Sequence, residues 1–232
     1  MLLPPRMTLT GLLGGSFNPA HRGHRRISLA AAEALGLDEI WWLVSPGNPL
    51  KERDGMAPLA ARVASARRAA RRTPIRVTAI EAALGSAFTA DTVAALVRRY
   101  PGRRFVWLMG ADNLAQFHLW REWRRIAATV PIAVVMRPGY HGAAHRARAM
   151  GWLRRFVRPA AMARHWAKWS IPSLVLLPLP LDQTSATAIR AADPDWHLDR
   201  EKSFSKRALR DGVTRRPLDP RRHIGRTIPR SA

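Results

Sequence analysis

Cysteine is absent from this chain of 232 residues. That excludes disulfides and thiolate metal sites, and it suits a reducing compartment. Acidic residues are scarce: 16 Asp and Glu stand against 39 Lys and Arg, giving a net charge of +23. Lysine is scarce too, with only Lys51, Lys168, Lys202 and Lys206. The positive charge is therefore carried by arginine, whose planar fork suits phosphate oxygens. Long apolar runs are missing. Stretches such as Phe105 to Met109 fall far short of the ~20 residues that a membrane helix needs. The opening Met1-Leu2-Leu3-Pro4-Pro5-Arg6 lacks the basic-then-apolar order of a signal peptide. Met7 is an alternative start, just ahead of the first strand. The expectation is a cytoplasmic protein with no membrane partner.

Hydrophobic residues make up 47% of the chain, enough for a sizeable core. The basic residues are unevenly placed. Seven Lys and Arg and no acid lie from His141 to Ser170; ten Lys and Arg and three acids lie from Glu201 to Ala232. A solvated surface plus a basic tail accounts for this. Attraction of anionic substrates or nucleic acid is the sharper alternative.

Short apolar runs alternate with helical stretches. Strands are expected at Leu9 to Leu13, Ile40 to Val44, Ile75 to Ile80, Phe105 to Met109, Ile132 to Met136 and Leu174 to Leu177. Helices are expected at Arg22 to Leu35, Leu59 to Arg72 and Thr89 to Arg99, with helical turns from Leu114 to Ile126. Tyr140 to Ser170 reads as an excursion of one or two helices. The alternation predicts an α/β fold, a doubly wound parallel sheet with helices on both faces. One domain is expected over residues 7–200. Residues 201–232 form a basic tail with no apolar periodicity, expected to be mostly disordered.

Ligands of such sheets bind at the carboxyl ends of the strands, near a switch in strand order. The segment Gly14-Gly15-Ser16-Phe17-Asn18-Pro19-Ala20-His21-Arg22-Gly23-His24 begins at one such end. Two glycines there let backbone N–H groups approach a phosphate. His21 and His24, three apart, lie on the first turn of the following helix, facing one side. Two glycines after a strand more often mark only a turn, and a histidine pair can be a metal half-site or surface decoration. The specificity lies in the ordered combination. A second motif is Thr184-Ser185-Ala186-Thr187-Ala188-Ile189-Arg190. Ser185 and Thr187 offer hydroxyls at a helix start, and Arg190 offers a fork to phosphate oxygens. An ordinary helix cap followed by a surface arginine is the plainer alternative.

The first segment resembles the G-G-x-F-[DN]-P-x-H-x-G-H signature of the nucleotidylyltransferases, and the second resembles their I-S-x-T-x-I-R. Asn18 stands where many members have Asp, and Thr184 where an apolar residue is usual. Met109-Gly110-Ala111-Asp112-Asn113-Leu114 with Phe117 and Trp120-Arg121-Glu122-Trp123 looks like the bacterial nicotinate-nucleotide adenylyltransferases. So do Ser45 to Lys51, Ser86 to Thr92 and Val134 to Tyr140. The resemblance runs from about Leu9 to Arg190. It implies a Rossmann-like fold and transfer of the adenylyl group of ATP to nicotinate mononucleotide, giving deamido-NAD and pyrophosphate. It also implies Mg²⁺ bridging the ATP phosphates, with no metal ligands from the protein assigned.

The residues carried over are His21, His24 and Arg190 as catalytic. Gly14, Gly15, Ser16, Phe17, Gly110, Asp112, Ser185 and Thr187 join them in ATP binding. Lys51, Thr89 and Trp120 are assigned to nicotinate mononucleotide. Trp120 serves equally as a core aromatic, and Asp112 as a helix cap. A sister enzyme acting on nicotinamide mononucleotide or pantetheine phosphate is the alternative. A basic nucleic-acid-binding protein is a weaker one, because it leaves both phosphate motifs unexplained, and nucleic acid is not expected as a partner. The sequence leaves oligomeric state open, a homo-oligomer included.

Overall fold

The computed structural model describes residues 6–47, 55–85, 88–136, 146–178, 185–198 and 210–216. Seven strands form one sheet: β1 (Thr8–Gly15), β2 (Glu39–Val44), β3 (Ile75–Thr78), β4 (Arg103–Gly110), β5 (Ile132–Met136), β6 (Val157–Arg158) and β7 (Leu174–Pro178). Their order is β3-β2-β1-β4-β5-β7-β6, and every pairing is parallel. The doubly wound α/β architecture expected from the alternation is present.

Strand residues alternate between two cores. Leu12, Trp41 and Trp107 face one side; Leu13, Trp42 and Leu108 face the other. All six residues of β2 are buried, as befits a parallel strand covered on both faces. The first core is closed by α4 (Thr89–Arg99), α5 (Ala111–Gln116), α6 (Trp123–Thr129) and α7 (Met150–Leu153). The second is closed by α1 (Arg22–Leu35), α2 (Leu59–Ala69) and a 3-10 stretch over Ala160–Lys168. Two further helices among the described residues are α3 (Ile80–Leu84) and α8 (Ala186–Ala192).

Two local readings of the sequence are corrected, and the helical turns expected from Leu114 to Ile126 are present. The strand expected through Ile80 stops at Thr78. There the Thr78 hydroxyl accepts the Ile80 N–H at 3.1 Å and turns the chain into α3. The turns expected from Leu114 to Ile126 split into α5, a 3-10 turn over Phe117–Leu119, and α6, because Glu122 adopts a left-handed φ of 51°. The excursion after Tyr140 yields the edge strand β6 and 3-10 turns as well as the short α7.

The tail also differs from expectation within residues 210–216; residues 201–209 and 217–232 lie outside the described residues. Gly212 donates its N–H to the Val77 carbonyl at 2.9 Å and so extends the exposed edge of β3. A Cβ on Gly212 would strike that carbonyl oxygen. The buried Asp211 carboxylate accepts from the Thr78 hydroxyl at 2.8–2.9 Å. It also accepts N–H groups of Ala79 (2.8 Å), Val213 (2.9 Å) and Thr214 (2.7 Å). One carboxylate and one glycine thus dock a segment that has no apolar periodicity. Hydrogen bonds to a charged acceptor are worth more than neutral ones, and a buried donor left unpaired carries its own cost. Asp211→Ala should therefore lower stability by about 2–4 kcal/mol in urea unfolding. It should also open residues 210–216 to proteolysis. An unchanged urea midpoint would show that the segment is not fixed by Asp211.

Candidate active site

The chain winds outward from β1 through β2 to β3, then crosses back to place β4 on the other side of β1. The switch in strand order lies between β1 and β4. A crevice at the carboxyl ends of these two strands is where doubly wound sheets hold ligands. Gly14 and Gly15 end β1 there, and Gly110 ends β4. Packing is a second reason for the glycines. A Cβ on Gly14 would lie 2.7 Å from Cη2 of Trp107, and one on Gly15 would lie 3.3 Å from the Phe17 ring.

After β1 the backbone turns sharply at Ser16-Phe17. Phe17 holds a left-handed φ of 48°, an uncommon conformation for a bulky residue. Its ring is buried, 5.0 Å from Trp42 and 4.9 Å from His24. The side chain thus belongs to the core, leaving backbone as what Phe17 can offer a ligand. His21 is the N-cap of α1, and its N–H donates to Nδ1 of His24 at 3.3 Å. The two rings lie 3.9 Å apart. Because Nδ1 of His24 accepts, the proton of the neutral ring sits on Nε2. First-turn N–H groups and the helix dipole add positive potential there.

Arg62, on α2, fastens this loop to the next one. It is 1% exposed, yet it has only carbonyl partners. Nε donates to Ala57 at 2.8 Å. Nη1 donates to Ser16 at 2.8 Å and Ser45 at 2.7 Å, and Nη2 to Pro46 at 3.4 Å. Burial lowers its pKa to about 10, so it stays charged at neutral pH. Sequence reasoning missed it, although a signal exists. Leu59, Arg62, Val63 and Ala66 follow helical spacing, which puts an arginine in the apolar stripe.

The second motif is brought onto the first. Ser185 caps α8, accepting the Ala188 N–H at 3.1 Å. Arg190 reaches across 172 residues and donates from Nη1 to the Asn18 carbonyl at 2.6 Å. Its Nη2 lies 3.4 Å from the Thr187 hydroxyl. The expected cap is present, and the arginine is anchored at the loop between β1 and α1.

The remaining candidates surround the crevice. Thr89 opens α4, and the preceding Phe88 ring lies 4.4 Å beneath the guanidinium of Arg121. This contact sets the start of α4 beside Trp120. Trp120 is half-buried and meets Phe117 and Trp107 edge-on, at 5.4 and 6.2 Å. Asp112 is exposed on the first turn of α5, folded back so that a Cβ on Gly110 would collide with it. Lys51 and Thr184 lie outside the described residues.

Among the described residues, no three His, Asp or Glu side chains converge as a metal cage. The Asn18 carboxamide is engaged internally: Nδ2 donates to the Gly55 carbonyl at 2.8 Å, and Oδ1 accepts the Ala57 N–H at 3.1 Å.

Glu81 of α3 is buried beside this site. Burial raises its pKa from 4.5 to about 7, against the smaller opposing pull of the Thr92 and Ser45 hydroxyls. The Thr92 hydroxyl has no partner at strict hydrogen-bond geometry, so burial dominates. The folded protein therefore binds more protons than the unfolded chain between pH 4.5 and 7, and stability falls as pH rises through that window. The fall is on the order of 3 kcal/mol and levels off above about pH 7. Glu81→Gln should remove this part of the pH dependence, read from urea midpoints at pH values on both sides of the window. An unchanged slope would assign it to other groups.

Residues 12–192 match the cytidylyltransferase-like family. A protein of Erythrobacter litoralis described as "Probable nicotinate-nucleotide adenylyltransferase" is 60% identical over 209 residues, covering 90% of this chain and 94% of that protein. A Bradyrhizobium protein of the same description is 48% identical over 186 residues, covering 80% and 97%. The fold resembles the Plasmodium falciparum nicotinic acid mononucleotide adenylyltransferase complexed with NaAD. The TM-score is 0.56 at 15% identity, covering 79% of this chain and 83% of that one. The chain belongs to the cytidylyltransferase-like family and, within it, groups with the nicotinate-nucleotide adenylyltransferases.

Proposed function

We propose that this protein transfers the adenylyl group of ATP to nicotinate mononucleotide, giving deamido-NAD and pyrophosphate. The observation that carries the reading is the Arg190–Asn18 contact. It sets the fork of the second motif beside the two histidines of the first. High identity to relatives bearing that name supports the choice of substrate.

The 5′-phosphate of nicotinate mononucleotide is ionised near neutral pH and needs no general base. One of its oxygens attacks the α-phosphorus of ATP, and the bond from that phosphorus to the bridging oxygen of the β-phosphate breaks. The protein aligns two anions and stabilises charge on the leaving pyrophosphate. His24, with its proton on Nε2, donates to the phosphates beside His21, and Arg190 adds a fixed cation. Gly14, Gly15, Ser16 and Phe17 present backbone, Ser185 and Thr187 support the phosphate side, and Gly110 and Asp112 face the adenosine ribose. Trp120 stacks on the pyridine ring, Thr89 lies by its carboxylate, and Lys51 lies near phosphate. Mg²⁺ on the ATP phosphates supplies charge neutralisation.

Pyrophosphate release, measured with ATP and each mononucleotide in turn, tests the reading. Nicotinate mononucleotide should be preferred over nicotinamide mononucleotide. Equal or reversed preference would remove the substrate assignment and leave the family intact.

His21→Ala and His24→Ala should each reduce turnover ~100-fold or more, roughly 3 kcal/mol, with little change in affinity for the mononucleotide. A purely structural role predicts a lower melting temperature with near-normal turnover in the folded fraction. Both quantities are read on the same samples.

A further inference from the structure

The docked tail builds a second concave surface at the opposite end of the sheet. A cleft of about 620 Å³ opens at the amino ends of β2 and β3, with residues 210–215 forming one wall. Four arginines and three carboxylates line it, and the carboxylates are engaged elsewhere. Asp38 pairs with Arg6 at 2.9 Å and accepts the Leu9 N–H. Glu39 holds Arg76 and Arg103. Asp211 has both oxygens on the Thr78 hydroxyl and backbone N–H groups.

Among the described residues, Arg67, Arg210 and Arg215 have no carboxylate within ion-pair distance. Arg210 reaches the Arg215 carbonyl at 3.3 Å. Burial lowers the pKa of Arg67; the Asp211 carboxylate opposes this, and the Arg215 guanidinium adds to it. Asp211, held by its own hydrogen bonds, offsets part of the cost of burying Arg67, and an anion bound by both guanidinium groups would offset more. Planar forks match phosphate oxygens, and a doubly charged anion answers two arginines better than a carboxylate does.

We propose that Arg67 and Arg215 form a binding site for a small phosphate anion, of the size of orthophosphate or pyrophosphate, in the cleft beside β3. The site stands independently of the activity proposed above.

Hydrogen exchange on the full chain, followed by mass spectrometry, gives a local readout. Inorganic pyrophosphate at ten times its Kd should slow exchange about tenfold in peptides covering residues 73–78 and 210–216. Protection there should vanish in Arg67→Gln/Arg215→Gln. Exchange at residues 210–216 of Arg67→Gln without pyrophosphate, compared with the parent chain, separates loss of the anion site from undocking of the tail. The proposal is overturned by any of three results: no protection at the cleft, equal protection by sodium chloride at matched ionic strength, or protection that survives both substitutions. Protection by an oligonucleotide with none by pyrophosphate would also overturn it.

Discussion

The guanidinium of Arg62 sets the distance between the two loops on which the candidate active site rests. It ties the loop after β1, at Ser16, to the loop after β2, at Ser45 and Pro46. A charge this deeply buried is tolerated because carbonyl dipoles replace its hydration. Lysine offers a single point charge and cannot span these acceptors with a planar fork. Removing the side chain would orphan several carbonyls at once and free the turn at Ser16-Phe17, where the backbone is already in an uncommon region.

On that foundation the site gathers pieces from distant parts of the chain. The parallel sheet brings the ends of β1 and β4 side by side, and α8 returns Arg190 to the Asn18 carbonyl. Aromatic packing then fixes a lateral wall. Trp107 fills the space above Gly14 and meets Trp120, so the loop after β1 and the Trp120 turn share one buried indole. A change in the bulk of Trp107 would therefore be felt on both sides of the crevice.

Much of this was legible in residue order. Strand runs such as Ile40 to Val44 and Ile132 to Met136 coincide with β2 and β5, because a strand buried on both faces writes itself as a continuous apolar run. The two phosphate motifs were visible as residue types at fixed spacing. Their contact was not, since nothing local to Asn18 or Arg190 encodes a bond across 172 residues. Arg62 was overlooked because arginine is ordinarily a surface residue, and only its place in an apolar stripe marks it. Asp211 left still less trace. An acid in a basic tail reads as solvated, and its burial depends on donors from Thr78 and Ala79, more than 130 positions earlier.

That separation has a consequence for how the chain reaches its fold. Until Asp211 and Gly212 have been synthesised, β3 is an open strand edge, with the Val77 carbonyl unpaired by the tail. At roughly 5–20 residues per second, a ribosome takes on the order of 10 s to travel from Thr78 to Asp211. During that interval the nascent sheet presents a pairing template to neighbouring chains. Arg76, which projects from β3 with its side chain 45% exposed, puts a charge on that edge. Charge on an exposed strand is a common deterrent to edge-to-edge aggregation.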